Sequence, residues 1–221
     1  TLNWAIVQQL AGEALDGVDF STLTMDQILQ LHEQNILEYA GRTSDAYKRL
    51  GDFADPETVD GAKAAMLRAM FAGNQQQDPR ETVKVLTAAL EHKQLKAVMS
   101  EPIAQNFLFS LSQNQEPVLK GSESALLGFA DSIDETISPE AAVGFRGLWD
   151  AILAAKTSDA NDAQREQIRQ KFVAIGKEKV EQIEDDRMAE WFKGSIKYLD
   201  GAFARGMLID HEMPPLTILW S

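Results

Sequence analysis

Four of the seven prolines directly follow a residue that can precede a helix. They stand in the pairs Asp55-Pro56, Asp78-Pro79, Glu101-Pro102 and Ser138-Pro139. Proline is well tolerated at the first helical position, because the backbone N–H that it lacks would be unpaired there. Pro56, Pro79 and Pro102 are each 23 residues apart, which fits one helix and a short connection per interval. The spacing predicts a chain built from successive helices.

Capping motifs predict further helix starts. Thr24-Met25-Asp26-Gln27 has the capping-box pattern, in which the first and fourth side chains accept from each other's backbone N–H groups. Asn161-Asp162-Ala163-Gln164 has the same pattern, and Glu81 completes one with Asp78. The long helices predicted from these starts cover 24–40, 56–72, 79–98, 139–156 and 162–193.

The body of the chain contains no stretch that alternates polar and apolar residues as a strand would. We therefore predict an all-α fold, either an antiparallel helical bundle or a two-layer helix array, with an extended C-terminal tail. The expected division is one all-α domain over 1–206 and an apolar tail over 207–221.

Composition excludes several classes of function. The hydrophobic fraction of 44% is that of a folded chain, and the absence of cysteine excludes disulfides, iron–sulfur clusters and thiol catalysis. A net charge of −13 argues against a nucleic-acid-binding role. No segment approaches the ~18 apolar residues of a membrane span. We expect a soluble protein that is cytoplasmic or delivered from a cytoplasm.

Two segments of the sequence carry acidic residues and no Lys or Arg, and the second, between Lys120 and Arg146, contains five Asp and Glu residues. Six Asp and Glu residues precede Arg42, which is the first Lys or Arg in the sequence. Such a region would attract a partner protein with a basic surface and repel nucleic acid and anionic membranes.

A carboxylate-rich segment, Asp185 to Glu190, resembles the aspartate-rich motifs that hold Mg²⁺. On a continuous helix, Glu178, Glu181 and Asp185 lie opposite the apolar side, which predicts a solvated charged face. The predicted buried residues of that helix are Ile168, Phe172, Ile175 and Ile183. A Mg²⁺-dependent enzyme using Asp185, Asp186 and Glu190 stays an alternative, and it needs facing carboxylates, such as Glu178 or those between Asp131 and Glu135.

Other catalytic and metal-binding patterns are incomplete. His32-Glu33 begins like H-E-x-x-H, but position 36 is isoleucine, and Glu38 shares no helix face with His32. Gly144 and Gly147 predict a close helix–helix approach, with Arg146 between them as the weaker alternative of an arginine finger. We predict no cofactor and no histidine-based metal site.

The C-terminal segment combines a Pro-Pro pair, which ends a helix, with an apolar run that would be exposed if nothing covered it. Pro214-Pro215 enforces an extended chain, and apolar residues follow it to the end of the sequence. We expect this tail to pack on its own domain or on another chain. The candidate partner-binding residues are Leu216, Ile218, Leu219 and Trp220.

Three functions are compatible with this sequence. The first is a non-enzymatic helical protein–protein interaction module, such as an adaptor, a regulator or a delivered effector. The second is a helical module that binds an apolar small molecule or lipid in a pocket lined by some of the seven Met and ten Phe residues. The third is the Mg²⁺-dependent enzyme.

Overall fold

The computed structural model of the protein describes residues 4–74 and 78–202, and these residues form α-helices, short 3₁₀ turns and connecting loops. The first seven helices are α1 (Trp4–Ala14), α2 (Met25–Glu33), α3 (Ile36–Tyr39), α4 (Thr43–Leu50), α5 (Val59–Asn74), α6 (Pro79–Leu90) and α7 (Leu95–Val98). The next seven are α8 (Pro102–Leu111), α9 (Glu116–Gly121), α10 (Glu123–Ser132), α11 (Pro139–Ala142), α12 (Phe145–Ala154), α13 (Asp162–Lys179) and α14 (Asp186–Ala202). The described residues contain no strand, so the all-α prediction is confirmed.

Several helices begin where local side-chain chemistry predicts. Thr24 Oγ1 accepts from the Gln27 N–H, and Gln27 Oε1 accepts from the Thr24 N–H at 2.9 Å, which completes the predicted capping box. Asp78 accepts from the N–H of Arg80, and Ser138 accepts from the N–H of Ala141. These caps satisfy backbone donors that would otherwise lack a partner in the first helical turn.

Other predicted starts are wrong. The helix after Pro56 begins at Val59, because Thr58 rather than Asp55 provides the cap, accepting from the Gly61 N–H at 3.0 Å. Asn161 makes no capping hydrogen bond with its side chain. The acidic partner expected for Asp78, Glu81, instead pairs with Lys84.

Four of the five long predicted helices are interrupted, and the one over 79–98 ends at Leu90 before the short α7. The predicted helix 24–40 breaks at Asn35, whose φ of 57° lies in the left-handed region and separates α2 from α3. The predicted helix 139–156 breaks near Gly144, between α11 and α12. The predicted helix 162–193 ends in a 3₁₀ turn over Val180–Gln182, and extended backbone at Ile183 leads into α14. The described part of the chain therefore contains more helix ends than the apolar periodicity indicates.

Two glycines at the start of α12 let this helix approach α8 closely. A Cβ atom at Gly147 would lie 2.6 Å from Leu108 O and 2.7 Å from Phe109 Cα, and one at Gly144 would lie 2.6 Å from Leu108 Cβ. Only glycine permits this separation, because a larger residue would have to displace backbone. The predicted close approach is confirmed.

One contiguous apolar core extends from Leu15 to Leu199 within the described residues. Phe145 of α12 stacks on Phe172 of α13 with ring centroids 4.3 Å apart, and Phe109 of α8 meets Trp191 of α14 edge-on. The predicted buried residues Ile168, Phe172 and Ile175 are buried, whereas Ile183 is only half-buried because it lies in the break before α14. No helix in the described part is long and apolar enough to cross a membrane. The division into a domain over 1–206 and a tail over 207–221 stays a prediction.

Candidate functional site

The predicted partner-binding tail lies beyond the part of the chain that the structure describes. Leu216, Ile218, Leu219 and Trp220 all belong to residues 203–221, which are outside the described ranges. Their proposed role in binding another chain stays a prediction.

The carboxylates of the segment from Asp185 to Glu190 have the contacts of an exposed helix start: one caps the helix and another pairs with a lysine. Asp185 lies before α14 rather than on a continuous helix, and its Oδ1 accepts from the Met188 N–H at 2.8 Å as a helix cap. Glu190 pairs with Lys193 at 2.9 Å, and this hydrogen bond raises the pKa of Lys193, as do the charges of Glu181 and Asp186. Within 4–74 and 78–202, no group of three or more His, Asp or Glu side chains is arranged to hold a metal ion.

The carboxylates suggested as facing partners lie around a separate groove. A space of about 490 Å³, open to solvent, lies between the loop before α11 and one face of α13. Its lining residues are Asp134, Glu135, Thr136, Lys171, Ala174, Ile175 and Glu178. Asp134 already pairs with Lys96, and Lys171 donates to the Asp131 carbonyl at 2.7 Å. The groove is polar at its rim, unlike the enclosed apolar pocket that a lipid needs. A smaller cavity beside Met99 and Phe129 holds about 10 Å³.

A histidine–glutamate pair forms where helical spacing does not predict one. His32 Nδ1 lies 2.6 Å from Glu38 Oε1, because the left-handed turn at Asn35 brings α3 back alongside the end of α2. His32 and Glu38 share no helix face, as the spacing indicates, and the break between α2 and α3 brings them together. His32 is buried edge-on against Phe71, with no hydrogen-bond partner at Nε2. The pair joins two helices, and within the described residues no third His, Asp or Glu joins it to form a metal site.

Arg146 lies in a helix interface instead of projecting into solvent as an arginine finger would. Its guanidinium lies over the Tyr198 ring, 4.9 Å from the centroid, and Asp150 accepts a 3.0 Å hydrogen bond from the Tyr198 hydroxyl. Burial raises the pKa of the Asp150 carboxyl and raises the pKa of Tyr198 to about 12. These contacts hold α14 against α12.

Helix α1 carries the most exposed large apolar side chains in the described part of the chain. Ile6 is 53% exposed and Leu10 is 59% exposed, and the next, Val59 at the start of α5, is 37% exposed. Residues four apart lie on the same face of a helix, so Ile6 and Leu10 form one outward stripe, which we call the α1 stripe. Among the side chains of α1 that the structure describes, only Ala11 is buried.

The α1 stripe is presented by a helix that is anchored on its other side. α1 packs against α3, and Arg42 Nη1 donates to the Leu15 carbonyl just after the end of α1. The sequence patterns described above do not single out the stripe. The sequence does contain a signal for it. The apolar residues of α1, including Ile6 and Leu10, extend around more of the helix than a single buried face needs.

The exposed stripe, the anchored helix and the acidic segments around them make α1 the candidate interaction surface. Comparison with protein-family models, with curated proteins and with solved structures gives no match to this chain.

Proposed function

We propose that this protein is a non-enzymatic helical protein–protein interaction module that binds a partner protein through the α1 stripe. The proposal depends on one observation, the exposure of Ile6 and Leu10 on the same face of a helix. Two adjacent large apolar side chains in water add nothing to the stability of the fold, and an exposed apolar patch with a polar rim can serve as an interaction site.

The position of the stripe fits recognition of a helix by a groove. Ile6 and Leu10 have the i, i+4 spacing of the anchor residues that an amphipathic helix inserts into an apolar groove. Burial of each exposed side chain would contribute on the order of 1 kcal/mol, so the two together form the apolar centre of a contact. The surrounding polar residues would complete it as a rim.

The catalytic alternatives are not needed to explain the charged residues. Asp185 caps α14, Glu190 neutralises Lys193, and Arg146 stabilises the α12–α14 interface. Each of these side chains has a structural partner, whereas Ile6 and Leu10 have large areas without one.

A site-specific photocrosslinking experiment tests the proposal. Leu10 is replaced by p-benzoylphenylalanine, and irradiation is carried out in an extract of the native source. The same replacement at Glu91, an exposed residue just after α6, is the control. We expect a crosslinked product with a different protein from position 10 and none with that protein from position 91.

The products of this experiment separate the possible occupants of the stripe by mass. A hetero-product identified by mass spectrometry, and reconstituted with the recombinant protein, supports the proposal. A product of twice the chain mass identifies a second copy, and an internal crosslink to residues 203–221 identifies the chain's own tail. Either of the last two results, without a hetero-product, contradicts the proposed function.

A further inference from the structure

The residues that follow the α1 stripe in sequence carry charge of one sign up to Arg42. The acids of the first 41 residues that are exposed are Glu13, Asp16, Asp19, Asp26 and Glu33. Glu13 and Asp16 are the nearest to the stripe in sequence, at the C-terminal end of α1 and in the turn that follows. No Lys or Arg lies among them, because Arg42 is the first in the chain.

The two arginines that come next in the sequence pair with acids of α4 and its C-terminal turn, and the charge of Arg49 also acts on Asp19. Arg42 pairs with Asp45 at 2.5 Å and stacks over the Phe20 ring. Arg49 pairs with Asp52 at 3.0 Å. Both guanidinium groups are therefore engaged with carboxylates of α4 and its C-terminal turn. Among the described residues, neither Glu13 nor Asp16 forms an ion pair with a Lys or Arg.

The apolar part of the surface is small. A stable interface buries about 800 Å² on each partner, and two half-exposed aliphatic side chains supply only a part of that area. The remainder of the contact must come from the polar residues next to the stripe, which are acidic. A partner that covers them without supplying positive charge would lose their hydration without compensation.

The same charge disfavours a second copy of this chain as the occupant. In a two-fold symmetric dimer the same patch is present on both subunits, so two surfaces that each carry Glu13 and Asp16 would come together. Like charges brought together across an interface oppose association. Charge complementarity therefore favours a different protein.

From the stripe and its charged border we infer that the partner has an apolar groove bordered by Lys and Arg residues, into which Ile6 and Leu10 insert while Glu13 and Asp16 pair with the basic border. This inference rests on the proposed function, because it specifies the chemistry of the partner at the same surface. The stripe controls how long the complex lasts, and the acids control how fast it forms.

Binding kinetics test the inference. The partner used is the protein crosslinked through position 10, produced as a recombinant protein. The charge-reversed variant E13K/D16K should lower the association rate constant about tenfold at low salt, with little change in the dissociation rate constant. Leu10→Ala should instead raise the dissociation rate constant about tenfold. Raising NaCl from about 0.05 M to about 0.5 M should slow association of the wild type and not that of E13K/D16K.

A matched variant separates local charge from total charge. E91K/E184K makes the same change in net charge at exposed positions beyond the first four helices. We expect it to associate with the partner at nearly the wild-type rate. An equal loss in both double variants would contradict a local role for Glu13 and Asp16.

A zero-length crosslinker gives an independent readout. A carbodiimide joins a carboxylate to an amine only when the two groups are in contact, so Glu13 or Asp16 should become linked to a lysine of the captured protein. If the captured protein binds through Leu10 but shows no such link and no dependence on salt or on E13K/D16K, the inference fails and the proposed function stands. If position 10 captures no other protein, both fail.

Discussion

Helices α1 and α12 are nearly equal in length and equally apolar on average, yet they have opposite relations to the core. Six of the ten residues of α12 are buried, including Phe145, Leu148 and Trp149. In α1 the largest described apolar side chains, Ile6 and Leu10, face solvent. Apolar content alone therefore does not determine which helix becomes core.

The difference has two physical sources. Gly144 and Gly147 let α12 approach the backbone of α8, so one of its faces is covered by a close neighbour. A second neighbour, α14, is held against α12 by the Arg146, Asp150 and Tyr198 contacts. Helix α1 has its main contact with α3, a helix of four residues, which covers only one side of it.

The largest expected effect on stability comes from replacing a leucine of α12 by alanine, and the same replacement in α1 gives the contrast. Leu148→Ala in α12 should lower the free energy of unfolding by about 2–5 kcal/mol, because Leu148 is fully buried and its removal leaves a cavity. Urea denaturation followed by circular dichroism measures this change. A loss below about 1 kcal/mol would mean that α12 is not the central core helix.

The close approach of α12 to α8 gives the next largest effect. Gly147→Ala should cost about 1–3 kcal/mol, because the new methyl group would meet the backbone of Leu108 and Phe109. Gly128→Ala in α10 is the matched control, since a Cβ there has open space, and it should stabilise the protein by about 0.5–1 kcal/mol. Equal effects at the two glycines would argue that the α8–α12 contact is looser than described.

The start of α14, the helix that covers α12, gives a smaller effect. Asp185→Ala should lower the free energy of unfolding by about 1 kcal/mol through loss of the cap on the Met188 N–H. Asp186→Ala is the control and should change it by less than about 0.5 kcal/mol, as an exposed residue without a capping bond. If neither variant changes stability but either abolishes a measured enzymatic activity, the Mg²⁺-dependent enzyme becomes the better hypothesis.

The smallest expected effect on stability is in α1. Leu10→Ala should change the free energy of unfolding by less than about 0.5 kcal/mol, because more than half of the side chain is already in water. The same denaturation measurement, made beside Leu148→Ala, gives the direct contrast between the two helices. A cost of 2 kcal/mol or more at Leu10 would show that the stripe is covered within the chain itself.

The parts of the fold that depend on contacts between residues close in the chain could be predicted from the sequence. The capping box at Thr24, the caps at Asp78 and Ser138, and the helix start at Pro102 each involve groups within a few residues. The buried positions Phe172 and Ile175 follow from helical periodicity for the same reason. The all-α class could be predicted because no segment favours a strand.

The candidate site was predicted only in part. The acidic start of the chain is a sequence property and was recognised as a feature that would attract a basic partner. The exposure of the α1 stripe could not be predicted. The sequence shows that an apolar residue in a helix favours burial, but it does not show whether another helix covers that residue. Whether Leu10 is buried depends on which helix lies opposite, and that helix is distant in the chain.

Sequence by itself determined the helical class, the local caps, the glycine-permitted contact of α12 and the charge of the N-terminal surface. Tertiary structure decided where the long periodic segments break, as at Asn35 and between α13 and α14, because packing on distant helices outweighs the small gain of continuing one helix. It also brought His32 to Glu38 and left Ile6 and Leu10 uncovered. Burial and pairing are properties of two surfaces in contact, and one segment of sequence specifies only one of them.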